Sequence, residues 1–142
     1  VRSAKSLHPD RTWRPFGWDD VVSTPGWIAV AVLGSVGSIA RFLVDRSVSR
    51  HTAARFPLGT LAVNASGALL LGLLTGLALS GEALVLAGSA TLGSYTTFST
   101  WMLETHKLGE DGQLAAGAAN VLVSMTLGIG AALLGRAIGG AL

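Results

Sequence analysis

Residues 93–101 read Gly-Ser-Tyr-Thr-Thr-Phe-Ser-Thr-Trp. The hydroxyls of Ser94, Tyr95, Thr96, Thr97, Ser99 and Thr100 crowd a stretch that carries no charge. Hydroxyl groups can donate to an anion. Gly93 and the β-branched threonines weaken a continuous helix here. A break would expose main-chain carbonyls, which ligate cations, and helix N-terminal amides, which attract anions. Phe98 and Trp101 are three apart and face one side. Aromatic ring edges are electropositive, so this pair suits either an anion path or plain packing.

Two side-chain amides add to this set. Asn64 lies among apolar and small neighbours, where an amide needs partners or water. It fits helix–helix glue, and it equally fits a donor to a permeating anion. Asn120 raises the same choice, with Ser124 one turn later on the same face. Arg41 comes late in an apolar run, where it can snorkel. Glu104 closes another run, as a helix-end charge or a functional carboxylate. His8, His51 and His106 lie outside the apolar runs and far apart, and no H-E-x-x-H, G-x-S-x-G or P-loop occurs in a usable context. The chain is therefore not read as an enzyme. No carboxylate falls within an apolar run, which argues against proton-driven transport of cations.

The elements that must position these residues follow from composition. The chain has 142 residues, 50% hydrophobic and only 13% charged, with 19 Gly and no Cys. Soluble domains carry about 25% charge. This composition excludes a disordered chain, a nucleic-acid module, a disulfide scaffold and thiolate metal sites. Four apolar runs occupy about 27–44, 58–79, 83–103 and 114–135, each near the roughly 20 residues a membrane helix needs. The alternation of barrel strands is absent. With residues 1–26 mostly polar, the first run is read as a span rather than a signal peptide. The expectation is an all-α integral membrane protein with four transmembrane helices and a broken third. It has a polar tail (1–26) and a membrane domain (27–142). Trp13, Phe16, Trp18 and Trp27 are candidate interfacial anchors. The connections are a basic segment at 45–57, a tight turn at 80–82 and a third at 105–113.

Gly72 and Gly76 form one G-x-x-x-G, and Gly135 and Gly139 another; such spacing lets helix backbones approach closely. Four spans put Arg2, Lys5, Arg11, Arg14 and Arg136 on one side, and Arg41, Arg46, Arg50, Arg55 and Lys107 on the other. That even split barely selects an orientation. It permits insertion both ways and pairing of two opposed copies. Discounting the distant Arg2 and Lys5 weakly favours the 45–57 loop inside.

The chain resembles the CrcB/Fluc family of fluoride channels. The resemblance covers about residues 27–140 and rests on ordered motifs: Gly34-Ser35-Val36-Gly37-Ser38-Ile39-Ala40-Arg41, then Gly59-Thr60-Leu61-Ala62-Val63-Asn64 with Gly67, then residues 93–104 from Gly93 to Glu104. It departs from the family pattern at Trp101 (usually Phe), Ser94 (usually Gly) and Asn120 (often Tyr). The resemblance implies an antiparallel, dual-topology homodimer with two fluoride pores. A paralogous partner chain of opposite orientation is a variant of that assembly. It also implies pore positions at Asn64, Thr97, Phe98, Ser99, Trp101, Asn120 and Ser124. Arg41 would stand near a vestibule and Glu104 at the acidic position after the aromatic pair. A structural Na⁺ would be held by backbone carbonyls at about Gly93 and Thr96. Two other readings compete with it. A small secondary multidrug carrier should have a Glu in its first span, and residues 27–40 have none. A non-conducting membrane assembly subunit would use Asn64 and the threonines for packing alone.

Overall fold

The structure is a computed structural model, and it describes residues 21–51 and 56–142. Every regular element among the described residues is helical. In chain order these are α1 (Thr24–His51), α2 (Leu58–Gly76), α3 (Gly81–Leu84), a π-helical stretch (Val85–Leu92), α4 (Gly93–Tyr95), α5 (Phe98–Glu110) and α6 (Leu114–Gly140). From α3 to α5 the chain follows one bent course, so the described residues form a four-helix bundle with one broken member.

Ser23 opens α1: its hydroxyl accepts from the Gly26 amide at 3.2 Å, as an N-cap does. Pro25 in that first turn removes no needed donor. Glu82, from the far side of the α2–α3 turn, accepts from the Ser23 amide at 3.0 Å and from its hydroxyl at 2.7 Å. The carboxylate thus ties the start of α1 to the start of α3, where the helix dipole favours it. Val22 is buried. The boundary expected at residue 26 therefore falls inside α1. Trp13, Phe16 and Trp18 lie outside the described residues; Trp27 is exposed in the first turn of α1.

The helix ends differ from the hydropathy reading. α1 runs on to His51, through residues expected to begin a loop at 45. Apolar content stops at Val44, but nothing in Asp45-Arg46-Ser47-Val48-Ser49-Arg50-His51 breaks a helix. Arg50 and His51 in its last turn complement the helix dipole. The turn after α2 occupies 77–80, with Ala78 at φ 54° and Gly81 at φ 59°, so α3 starts where a turn was expected to end. α6 continues to Gly140.

α1, α2 and α6 are each long and apolar enough to cross a membrane. The bent third member is split, and neither half reaches that length alone. Large apolar side chains such as Ile28, Val32, Ile39, Leu122, Ile129 and Leu133 face outward, while the buried apolar set is small: Val22, Val63, Ala90, Leu92 and Leu108. Lipid is as apolar as the core, so helix contacts rest on close packing instead. The most extensive contact joins α2 to α6. There, a Cβ on Gly72 would collide with Ala132 O, and one on Gly135 with Leu69 O. The two G-x-x-x-G motifs therefore act as a packing seam.

Candidate functional site

The break falls at Thr96 and Thr97. Thr96 has φ −79°, ψ 162° and Thr97 φ −147°, ψ 125°, both extended. Gly93 itself stays helical, at φ −63°, ψ −35°, so the interruption comes from the threonine pair and not from the glycine. Upstream, the Thr91 hydroxyl donates to Leu86 O five residues back at 2.8 Å, consistent with the wide π turn. The Thr96 hydroxyl donates to Leu92 O at 3.0 Å. Downstream, the Thr100 amide donates to Thr97 Oγ1 at 3.2 Å, so Thr97 caps α5.

Asn64 closes the gap. Its Nδ2 donates to Thr97 O at 2.8 Å, and its Oδ1 accepts from the Thr97 amide at 2.9 Å. In a continuous helix the Thr97 amide would close on Gly93 O. Here the side-chain amide takes that donor and leaves the Gly93 carbonyl without its usual partner. One Nδ2 hydrogen of Asn64 is used on Thr97, and a primary amide has two. Asn64 is thus helix–helix glue and still has a hydrogen to offer. Two further contacts hold α2 against the break. A Cβ on Gly67 would collide with the Thr96 methyl, and Ser66 Oγ lies 2.8 Å from Tyr95 OH.

A groove of about 750 Å³ opens at this point, lined by Asn64, Thr96, Thr97, Phe98, Trp101 and Ser124 among apolar neighbours from α2, the π stretch and α6. Phe98 and Trp101 make an edge-to-face pair, with centroids 5.7 Å apart and planes at 74°. Phe98 is 70% exposed. Gly93 also lines the groove. A smaller cavity of about 120 Å³ lies on the other side of the break, lined by Arg41, Phe42, Asp45, Thr60, Thr97 and Thr100 with Val63. Thr97 borders both cavities.

Not every expected site residue reaches the groove. Asn120 is fully buried and works between helices: its Nδ2 donates to Thr105 Oγ1 at 2.8 Å, its Oδ1 accepts from Ser124 Oγ at 3.4 Å, and its main-chain carbonyl accepts from Trp101 Nε1 at 3.4 Å. Asn120 therefore pins α5 to α6. Ser99 is exposed, with its hydroxyl 3.4 Å from Thr97 Oγ1, and is not among the groove-lining residues. Arg41 lines the small cavity with Nε buried and unpartnered. Glu104 lines neither cavity; its carboxylate faces the Thr60 hydroxyl, with Asp45 nearby. Thr60 was overlooked as a site residue. It is 2% exposed, and its hydroxyl faces the Glu104 carboxylate. Its position one turn before Asn64 on the same helix face was the available signal. Thr105, the partner of Asn120, carried no such signal.

These features define a class: a multi-pass helical membrane protein whose one split helix is braced by a side-chain amide and opens onto a lateral groove. The family model described as "CrcB-like protein, Camphor Resistance (CrcB)" matches residues 28–136. The chain is 59% identical over 110 residues to the "Fluoride-specific ion channel FluC 2" of Mycobacterium tuberculosis (strain ATCC 25618 / H37Rv), covering 78% of this chain and 87% of that one. It is 60% identical over 110 residues to the protein of that name from Mycolicibacterium paratuberculosis, covering 78% and 90%. It is 44% identical over 119 residues to the "Fluoride-specific ion channel FluC 1" of Symbiobacterium thermophilum, covering 80% and 96%. The chain belongs to the CrcB family.

Proposed function

We propose that the chain is a passive, fluoride-selective channel that lets fluoride leave the cytoplasm and so limits its toxicity. The convergence of Asn64, Phe98, Trp101 and Ser124 on one groove at the helix break carries this reading. Fluoride is small and strongly hydrated, so a pore has to replace its water with several weak donors. The spare amide hydrogen of Asn64 and the ring edges of Phe98 and Trp101 are such donors; the hydroxyls of Thr97 and Ser124, which donate to Thr100 Oγ1 and Asn120 Oδ1 in this structure, would join them by turning toward the ion. Ser99 would serve the approach to the groove, and Asn120 would set Ser124 from behind. The small cavity with Arg41 would act as a vestibule, with Glu104 behind its Thr60 wall. An inside-negative potential drives an anion outward without a coupled energy source. Relatives at 59% and 60% identity bear the name of fluoride-specific ion channels.

The groove's outer wall is missing within one copy, since Leu71, Phe98, Met125 and Ile129 line it and remain exposed. On this reading a second copy of opposite orientation supplies that wall, or a paralogous chain does. The even split of Arg and Lys suits insertion both ways. Residues 27–142 would carry conduction and residues 1–26 would not. A structural Na⁺ fits the break: the Gly93 carbonyl lacks its usual amide donor because Thr97 N–H turns to Asn64, and hard cations favour carbonyl oxygen. Gly93 and Thr96 would hold it, and its charge would offset carbonyls gathered from two breaks.

The test is fluoride efflux from liposomes containing only this purified chain, with chloride as the control anion. Rapid efflux of fluoride over chloride is expected. Folded, membrane-inserted protein that passes no fluoride would overturn the self-sufficient homodimer. Recovery on adding a second CrcB chain would then identify an obligate pair.

A further inference from the structure

The C-terminal end of α1 sorts its charges by face. α1 has 28 residues, about 42 Å at roughly 1.5 Å per residue, against a hydrocarbon layer of about 30 Å. Its apolar part, 27–44, accounts for about 27 Å of this by the same rise. With the apolar part across that layer, residues 45–51 fall at headgroup level. Asp45 turns inward: Ser49 Oγ donates to its Oδ1 at 3.4 Å, and a Cβ on Gly59 of α2 would collide with the same oxygen. Arg46 and Arg50 turn outward and are exposed. They are four apart, on one face of the helix. Phe42 lies one turn before Arg46 on that face, and the Arg46 guanidinium stands 5.7 Å from the centre of the Phe42 ring. Ile39 and Leu43 continue the face as exposed apolar surface.

Neither arginine has a carboxylate within ion-pair distance among the described residues, where the one ion pair is His106–Glu110. Two unpaired guanidinium forks, one stacked on an aromatic ring, top a column of apolar side chains. Guanidinium forks match phosphate oxygens, and the ring limits the freedom of Arg46. We propose that this stripe binds an anionic phospholipid, with the headgroup phosphate on Arg46 and Arg50 and an acyl chain along Phe42, Leu43 and Ile39. The site does not depend on what the groove conducts. It gives this corner of the bundle a preference for one class of lipid over another.

The experiment uses the full chain in vesicles of phosphatidylglycerol and phosphatidylcholine in equal proportion. Spin-labelled versions of each lipid report the fraction immobilised on the protein. The wild type should hold labelled phosphatidylglycerol up to about thirty-fold more strongly than phosphatidylcholine, the ratio that two cations near an anionic surface provide. High salt should shrink that difference. The R46Q/R50Q double variant should lose it and R46K/R50K should keep most of it. Both positions are exposed, and circular dichroism confirms that each variant is folded. Equal retention of the two lipids by the wild type would overturn the proposal. So would a preference that survives in R46Q/R50Q, or a change of oligomer mass in that variant without any lipid preference in the wild type.

Discussion

The α2–α6 seam and the break at Thr96–Thr97 are two answers to one constraint. In lipid, backbone polar groups need partners, and helices gain from close approach. At the seam the helices stay regular, so their amides and carbonyls are already paired. Contact is bought by having no side chain at all: a Cβ on Gly76 would collide with Arg136 O, and one on Gly139 with Leu73 O. At the break the helix is interrupted, and side chains take over the backbone's bonding. Asn64, Thr96 and Thr97 each engage main-chain groups there. The seam holds the bundle by shape and the break by hydrogen bonds. The groove lies beside the break, where donors are plentiful, and the seam carries only structure.

Gly135→Leu attacks the seam and should have the largest effect. Its side chain would drive into Leu69 O and the Leu73 amide, costing about 3 kcal/mol or more. Loss of the folded species in a detergent melt would show it. A melt like that of the wild type would mean that the helices part easily and that shape does not hold them.

Asn64→Leu attacks the break and comes next. It leaves both the Thr97 amide and the Thr97 carbonyl without their side-chain partner, a loss of about 2 kcal/mol. Fluoride efflux should fall to background while the α2–α6 seam, and with it most of the helical signal, persists. Efflux at the wild-type rate would remove Asn64 from the path and leave it as a brace alone. Trp101→Phe should be the smallest. It removes a long 3.4 Å bond to Asn120 O and keeps a ring edge beside Phe98, so the melt should shift by less than about 1 kcal/mol and fluoride efflux should persist.

The parts of this structure that were legible in the sequence are those set by local composition. The four apolar runs mark the helices, and the seam follows from the spacing of Gly72, Gly76, Gly135 and Gly139. The crowding of Thr96 and Thr97 marks the break, whereas Gly93, which the sequence offers as an equal cause, stays helical. Hydropathy did not give helix length: α1 outruns its apolar part because Asp45 to His51 are polar yet helix-compatible. The π stretch had no compositional mark. The pairing of Asn64 with Thr97 spans 33 residues, and that of Asn120 with Thr105 depends on how α5 and α6 stand in register. Neither follows from local pattern, so the sequence offers Asn120 as a pore position without showing its bond to Thr105 or its burial between α5 and α6.

The reciprocal bond between Asn64 and Thr97 also bears on how this position can change over generations. It requires an N–H and a C=O side by side at the reach of one short side chain. A single base change in an asparagine codon yields Asp, His, Ile, Lys, Ser, Thr or Tyr. None of these carries an amide: an ionised Asp only accepts, and Ser or Thr places donor and acceptor on one atom. A one-step change at 64 therefore gives up the amide that meets both Thr97 groups, and the break must be braced in some other way.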